Sequence, residues 1–415
     1  MSFLFLLKKP NLRRLLTANF LSGIGDWFNS VAVLALLLEI TGTAIAVGIT
    51  LALRTLPHLI FGPLGGLMAD RFDRKKVMVA CDLVRGFVAL SFLLVSEKSD
   101  VWMVYTGTFS LVAFSSLYNP ARMSLLPKIV DPEELATANA LDQSIYGIVM
   151  AIGSLIGGIF VALWGSDLAF LFNALSFFAS ALFLARLKVP ASPNDPVSNV
   201  QLQQAAKVSS YGEVIRAITS TPIVYAIFLL KAVWPIGGGI INVLISVYAY
   251  QVFAAGEWGI GLLYGAIGIG FIIGGILAQR FQRYFYEVAA SSFALEGFGM
   301  LLTSFSPTIY VTALFFALST VAGGMGNASL NTLIMRHVTP SYHGRVFALD
   351  ATISNILIGL SMLLGGWILT MADPRIVGFV AGLLITIPSL GLGPVIWRTV
   401  RAGDNEPLAN KNHAR

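Results

Sequence analysis

The sequence predicts an all-α membrane protein of twelve transmembrane helices, arranged as two six-helix lobes related by an internal repeat. Three observations lead there. Of 415 residues, 56% are hydrophobic and only 12% charged, with a mean hydropathy of +0.79, whereas soluble domains carry roughly 25% charged residues. The apolar residues fall in blocks of roughly 20, the length at which a helix crosses a bilayer. Two short motifs also recur at a nearly constant offset, which marks a duplicated unit.

The blocks run over 14–38, 44–68, 77–95, 101–123, 139–163, 168–187, 222–252, 258–279, 287–305, 308–334, 347–370 and 376–398. They are continuously apolar and do not alternate, which excludes a transmembrane β-barrel. Lys8, Lys9, Arg13 and Arg14 abut a stretch too long for a signal core, with no small-residue cleavage site before Asp26, so span 1 reads as a retained helix. On this model of twelve spans, 22 of the 27 Lys and Arg residues fall on one side, beginning with the first four and with Arg71, Arg74, Lys75 and Lys76. Opposite loops hold only Lys98 and Arg375, while Arg54, Arg85 and Lys231 lie within or near spans. That bias predicts a cytoplasmic (inner) membrane protein with both termini in the cytoplasm. It also accounts for the net charge of +6 without a nucleic-acid partner.

One segment interrupts the apolar rhythm. Pro190-Ala-Ser-Pro-Asn-Asp-Pro196 through Ser210 reads as a flexible or partly helical cytoplasmic linker. The expected organisation is a lobe at 1–189, a linker at 190–215, a lobe at 216–398 and a tail at 399–415. The halves repeat. Gly65-Gly-Leu-Met-Ala-Asp70-Arg71-Phe-Asp-Arg74 after span 2 matches Gly274-Gly-Ile-Leu-Ala-Gln279-Arg280-Phe-Gln-Arg283 after span 8, an offset of 209. Lys128-Ile-Val-Asp-Pro132 with Ala140-Leu-Asp142 matches Arg336-His-Val-Thr-Pro340 with Ala348-Leu-Asp350, an offset of 208. Six spans per copy give both halves the same orientation, as in parallel-repeat transporters.

The loop between spans 2 and 3 carries a physical logic of its own. Gly66 lets two helices approach closely, and Asp70 sits at a helix end beside a basic turn, able to bridge neighbouring helices. A plain topogenic basic loop is the competing reading. Gly66-Leu-Met-Ala-Asp70-Arg71-Phe-Asp-Arg74-Lys75 resembles the signature loop of the major facilitator superfamily. The resemblance implies that fold, and a cytoplasmic gate latched by Gly66, Asp70, Arg71, Arg74 and Lys75. The sequence departs from the pattern at Asp73, where the family has Gly, and at Met68, where it has Leu. In span 5, Gly153, Gly157 and Gly158 permit tight helix packing; they resemble part of an antiporter element of the superfamily, with Ser154 in place of its proline. Gly25-Asp26-Trp-Phe28, Asn119-Pro-Ala-Arg122, Glu133-Glu-Leu-Ala and Gly344-Arg345-Val-Phe347 resemble the enterobactin-exporter and macrolide-efflux branch.

Charges inside spans point most sharply at function, because each costs about 2.5–3.5 kcal/mol at mid-membrane on insertion scales. Asp26, halfway along span 1, is a candidate proton carrier; a structural acid bonded to a neighbouring helix is the equal alternative. Arg54 in span 2, with His58 a turn later, and Lys231 in span 7 are candidate partners of Asp26 or of substrate. Asp82 and Arg85 open span 3 and read as braces for the Asp70 loop, which Asp142 and Asp350 at repeat-equivalent positions would complete. Glu296 in span 9 reads as structural or interfacial on a peripheral helix. Trp234-Pro235 beside Gly237-Gly-Gly239 suggests an irregular, cavity-lining span 7 or a mere kink.

No nucleotide-binding loop, catalytic Ser/His set or metal-ligand cluster is found, and the lone Cys81 reads as a small buried residue. The expectation is a non-enzymatic, cofactor-free and monomeric transporter. By resemblance it exports a hydrophobic or amphipathic small molecule in exchange for protons, by alternating access. Uptake or lipid movement on the same fold, or a non-transporting receptor, are the rival readings.

Overall fold

The computed structural model of the chain describes residues 8–131, 134–188, 211–281, 284–338 and 343–404, and among them only helices and turns occur. Of the expected linker, only the start of the helix Tyr211–Ser220 falls within this set; 189–210 and 405–415 lie outside it. The side chains of Gly66, Asp70 and Arg71 also lie outside the described set.

Helix α1 (Pro10–Thr41) starts on a proline, whose missing N–H is no loss at that position. It ends at Gly42, which takes a left-handed φ of 66° and returns its N–H to Leu38. The second span is α2, built from Ala44–Leu53 and Leu56–Arg71. It breaks at Arg54–Thr55 because Pro57, in the first turn of the second segment, has no N–H to continue the ladder. Helix α3 (Arg74–Ser91) is N-capped by Asp73, whose Oδ1 accepts the Lys76 N–H at 3.0 Å. The position that departs from the signature pattern is thus a helix cap. Helix α4 (Val101–Leu125) contains Pro120, which leaves the Ser116 carbonyl without its helical donor. That carbonyl lies against Gly65 of α2, where a Cβ would stand only 2.6 Å from it.

The next helical run, Leu135–Ala185, has 51 residues and would be roughly 76 Å long if straight, more than twice the hydrocarbon thickness. It is two spans, α5 (135–164) and α6 (166–185), reversed at Gly165, the one residue of the run with a non-helical backbone (φ 82°). Phe28 of α1 sits between the arms, 4.9 Å from Phe160 and 4.8 Å from Phe172, ring centre to ring centre. The remaining spans are α7 (Pro222–Val247), α8 (Gly256–Arg280), α9 (Phe285–Thr303), α10 (Ile309–His337), α11 (His343–Ile368) and α12 (Pro374–Asp404). Among the described residues, ten stretches are long and apolar enough to cross a membrane. Counting the α5–α6 run as two and adding α9, which carries Glu287 and Glu296, gives the expected twelve.

The chain divides by contact into two compact units. The first is Met1–Gln203 with Asn242–Gly268 and Met362–Pro374; the second is Gln204–Ile241, Ile269–Ser361 and Arg375–Arg415. In the first unit, Leu12, Leu15, Met78, Cys81, Tyr118, Leu125 and Leu184 form an apolar core. In the second, Val224, Ile227, Leu230, Phe293, Leu330 and Ile334 do the same. Large apolar side chains such as Phe87, Leu94, Trp164, Ile276, Leu314 and Ile387 face outward, and polar ones such as Asn29, Asp82, Asn173 and Ser180 are buried. A bilayer rewards that inversion.

Basic side chains close helix ends. Arg14 donates to the Arg186 carbonyl at 2.8 Å and Lys75 to the Leu187 carbonyl at 2.9 Å, just past the end of α6. Lys9 pairs with Asp131 at 2.7 Å and with Glu134 at the start of α5; these two carboxylates hold its ammonium pKa above the usual range. Arg375, one of two basic residues against the positive bias, donates to the Ser304 and Ser306 carbonyls at 2.9 and 2.8 Å, past the end of α9. A cation there also meets the negative end of the helix dipole.

Candidate functional site

A cavity of about 480 Å³ opens within the first unit, and α1 supplies one wall. Asn19, Ser22, Gly23, Asp26 and Ser30 line it at intervals of three and four residues, so they form a single stripe. The stripe faces inward because its neighbours are committed elsewhere. Gly25 lies flush against α6, where a Cβ would stand 2.7 Å from the Asn173 amide oxygen. Trp27 packs on Gly153 of α5 and on the Tyr264 ring at 5.6 Å, and Phe28 fills the α5–α6 hairpin. Gly25, Trp27 and Phe28 of the motif therefore each have a packing neighbour, and Asp26 faces the cavity, which Trp27 also lines.

Two ion pairs border the space. Asp82 and Arg85, adjacent on one face of α3, pair directly. Ser180 of α6 donates to Asp82 at 2.6 Å, and the Arg85 guanidinium lies 4.7 Å from the Tyr118 ring and 4.4 Å from the Phe177 ring. Arg122 of α4 reaches both carboxylate oxygens of Asp142 at 2.7 and 2.6 Å. The Asn19 amide donates to Asp142 at 3.3 Å and accepts from the Tyr118 hydroxyl at 2.9 Å. These networks satisfy every carboxylate at the cavity except one. The Asp26 carboxylate has no hydrogen bond or ion pair among the described residues, and Arg54, at the break in α2, shares its cavity. His58 turns away, meeting Ser116 of α4 at 2.8 Å, because the Pro57 break separates it from the Arg54 face.

Lys231 is placed elsewhere. In the second unit it pairs with Asp350 of α11 at 2.6 Å and donates to Asn331 of α10 at 2.9 Å. The sequence had weighed Lys231 as a partner for Asp26, and Asp350 as a brace of the Asp70 loop; the structure joins these two to each other. Asp82 bonds to Arg85 and Ser180, and Asp142 to Arg122 and Asn19, all in the interior, and Arg85 and Asp142 line the cavity. Of the expected gate residues, Arg74 begins α3 and Lys75 ties α3 to the end of α6. Of the two readings of Glu296, structural or interfacial, burial removes the interfacial one. At 1% exposure Glu296 is a buried inward residue, facing Gly323 of α10. Helix α7 continues unbroken through Pro235, and its glycines pack, Gly237 on α12 and Gly239 on α11. Gly157 packs on Phe28, and Gly158 meets Gly261 of α8, where a Cβ would stand 2.7 Å from the Gly261 Cα.

Sequence reasoning missed Asn19 and Tyr118 as cavity residues, being uncharged, and counted Arg122 among the basic-side residues. The stripe at 19, 22, 26 and 30 was the available signal.

The sequence profile of the Major Facilitator Superfamily matches residues 15–361. The chain is 25% identical over 398 residues to BacE of Bacillus amyloliquefaciens, named as a bacilysin exporter, covering 91% of this chain and 93% of that one. It is 21% identical over 340 residues to macrolide efflux protein A of Streptococcus pyogenes, covering 80% and 83%. Its fold is similar to that of a bacterial homologue of the human lysosomal transporter Spinster, solved inward-facing and unoccupied. There the TM-score is 0.74 at 14% identity, covering 94% of this chain and 97% of that one. A bacterial homologue of the iron transporter ferroportin gives a TM-score of 0.68 at 17% identity, covering 96% and 99%.

Proposed function

We propose that this chain, which belongs to the Major Facilitator Superfamily, exports a hydrophobic or amphipathic small molecule in exchange for protons. The carrying observation is Asp26. It is the one carboxylate at the cavity with no bonded partner among the described residues, so it is free to take and release a proton as its surroundings change. Arg54 lies within reach of the same space and either tunes that proton or meets an electronegative group of the cargo. The cavity volume of about 480 Å³ lies in the range that holds small molecules, about 300–1,000 Å³. Export is favoured over uptake by the relatives, two of which carry efflux or exporter names.

In this reading the protein is a monomer of the inner membrane, with no enzymatic activity of its own. Both termini are cytoplasmic, because 22 of its 27 Lys and Arg residues fall on that side. The loop from Asp70 to Lys75 gates the cytoplasmic opening, and Lys75 anchors it to α6.

The test uses purified protein in proteoliposomes with an imposed pH gradient, after a sensitivity screen that includes macrolides has named a cargo. Wild-type protein is expected to move the cargo against its gradient and to release protons as it does so. Asp26→Asn is expected to abolish gradient-driven transport while retaining downhill exchange. Unchanged proton-driven transport by Asp26→Asn sinks the role given to Asp26.

A further inference from the structure

A second cavity, of about 340 Å³, lies within the second unit. Its charged lining residues are Lys231, Asp350 and Glu296. The first two neutralise each other at 2.6 Å, and Asn331 takes a further Lys231 donor at 2.9 Å. Glu296 is left over. Its carboxyl group rests on Gly323, where any larger residue would displace it. The Trp234 side chain hydrogen-bonds to it, and its Oε1 is buried with no partner. Around it stand the rings of Trp234, Phe271, Phe293 and Phe347 and the amide of Asn327.

We propose that this cavity binds a monovalent organic cation, an amine in its ammonium form carrying an aromatic or alicyclic body, with Glu296 as its counter-ion. A carboxyl group taken out of water either keeps its proton or takes a positive partner, and among the described residues the one cation lining this cavity is committed to Asp350. An ammonium brings the missing charge together with N–H donors for the free Oε1 and for the Asn327 carbonyl. Aromatic faces attract the same charge and shelter the apolar body. An anionic ligand meets the opposite situation, since Lys231 is neutralised and Glu296 repels it. The inference rests on the transport reading only in taking the bound amine to be cargo; the binding itself stands apart from transport.

The experiment measures binding of 1-naphthylmethylamine and of its neutral N-acetyl derivative to the purified full-length chain in detergent at neutral pH, by calorimetry. The amine is expected to bind saturably and the amide not to. Glu296→Gln is expected to weaken the amine by about thirtyfold or more, as when one partner of a buried charge pair is removed, and Glu296→Asp to retain most of the affinity. The amine–amide comparison needs no variant, so it decides even if Glu296→Gln does not fold. Equal binding of amine and amide, no binding of the amine, or full affinity in Glu296→Gln overturns the proposal. So does an equal loss on Asp26→Asn, which would move the cation to the first cavity. Intact amine binding beside failed proton-driven transport would sink the export reading and leave this one standing.

Discussion

Asp82 and Asp26 lie in one unit of the protein but in opposite situations. Asp82 is fully buried and closed on all sides, by Arg85 and by Ser180, with Arg85 itself held between two rings. Its removal strands a buried guanidinium. Asp82→Asn is therefore expected to destabilise the protein by roughly 3–5 kcal/mol, read as a lower melting midpoint in detergent, and Asp82→Asn with Arg85→Met to recover much of the loss. A midpoint equal to wild type in the single variant would mean that the pair does not hold α3. Asp26, open to its cavity, is expected to behave in reverse, with Asp26→Asn melting no earlier than wild type. The sequence made both acids visible as costly charges. It did not make their difference visible, because which face an acid presents depends on neighbours far away in the chain, such as Ser180 for Asp82 and Asn173 behind Gly25.

Among the helices, the features that proline and glycine control were the most legible and the most consequential. The six-and-six pattern of spans, and the tight packing of span 5, could be read from the apolar blocks and from Gly153, Gly157 and Gly158. The reversal at Gly165 was readable too, between the blocks that end at 163 and resume at 168; the break in α2 was not, since Pro57 sits inside the block 44–68, which reads as one span. Gly65 illustrates how two elements share one requirement. Pro120 frees the Ser116 carbonyl, and Gly65 gives that carbonyl room. Gly65→Leu is expected to force α2 and α4 apart and abolish transport, whereas Pro120→Ala should be tolerated; normal transport by Gly65→Leu would show that the contact is dispensable. At the start of α3, Asp73→Ala removes the cap and is expected to cost about 1 kcal/mol, and Asp73→Gly only a few tenths. Melting curves of the two variants would order them, and the reverse order would count against the capping role.

For the molecule as a whole, duplication explains a symmetry that pairwise contacts obscure. Asp142 and Asp350 stand 208 residues apart in the sequence, and each pairs with one cation from another helix of its unit, with an amide from a third helix in the same network. In the first unit α4 gives the cation, Arg122, and α1 the amide, Asn19. In the second unit the repeat of α1 gives the cation, Lys231, and the repeat of α4 gives Asn331, whose amide oxygen accepts from Lys231 rather than donating to the carboxylate. The carboxylate has kept its place while the cation and the amide of its network have exchanged helices. Lys231→Asn alone is expected to lower the melting midpoint, and Lys231→Asn with Asn331→Lys to restore part of it. A double variant worse than the single one would show that the cation is tied to α7. The repeat offset was readable in the loops; the exchange was not, because it preserves composition while moving a charge from one helix to the next.

In the proposed topology, the turns opposite the basic face have a consequence for handling the protein in a cell. They are Gly42–Thr43 after α1, Gly165 between α5 and α6, and the short stretches 92–100, 248–255, 304–308 and 369–373. Almost nothing on that side is long enough for a protease to thread or for an antibody to grip. Epitopes placed there to map the protein in intact cells will have to be built into lengthened turns, and Gly165, where two spans reverse on a single residue, is the last place to put one.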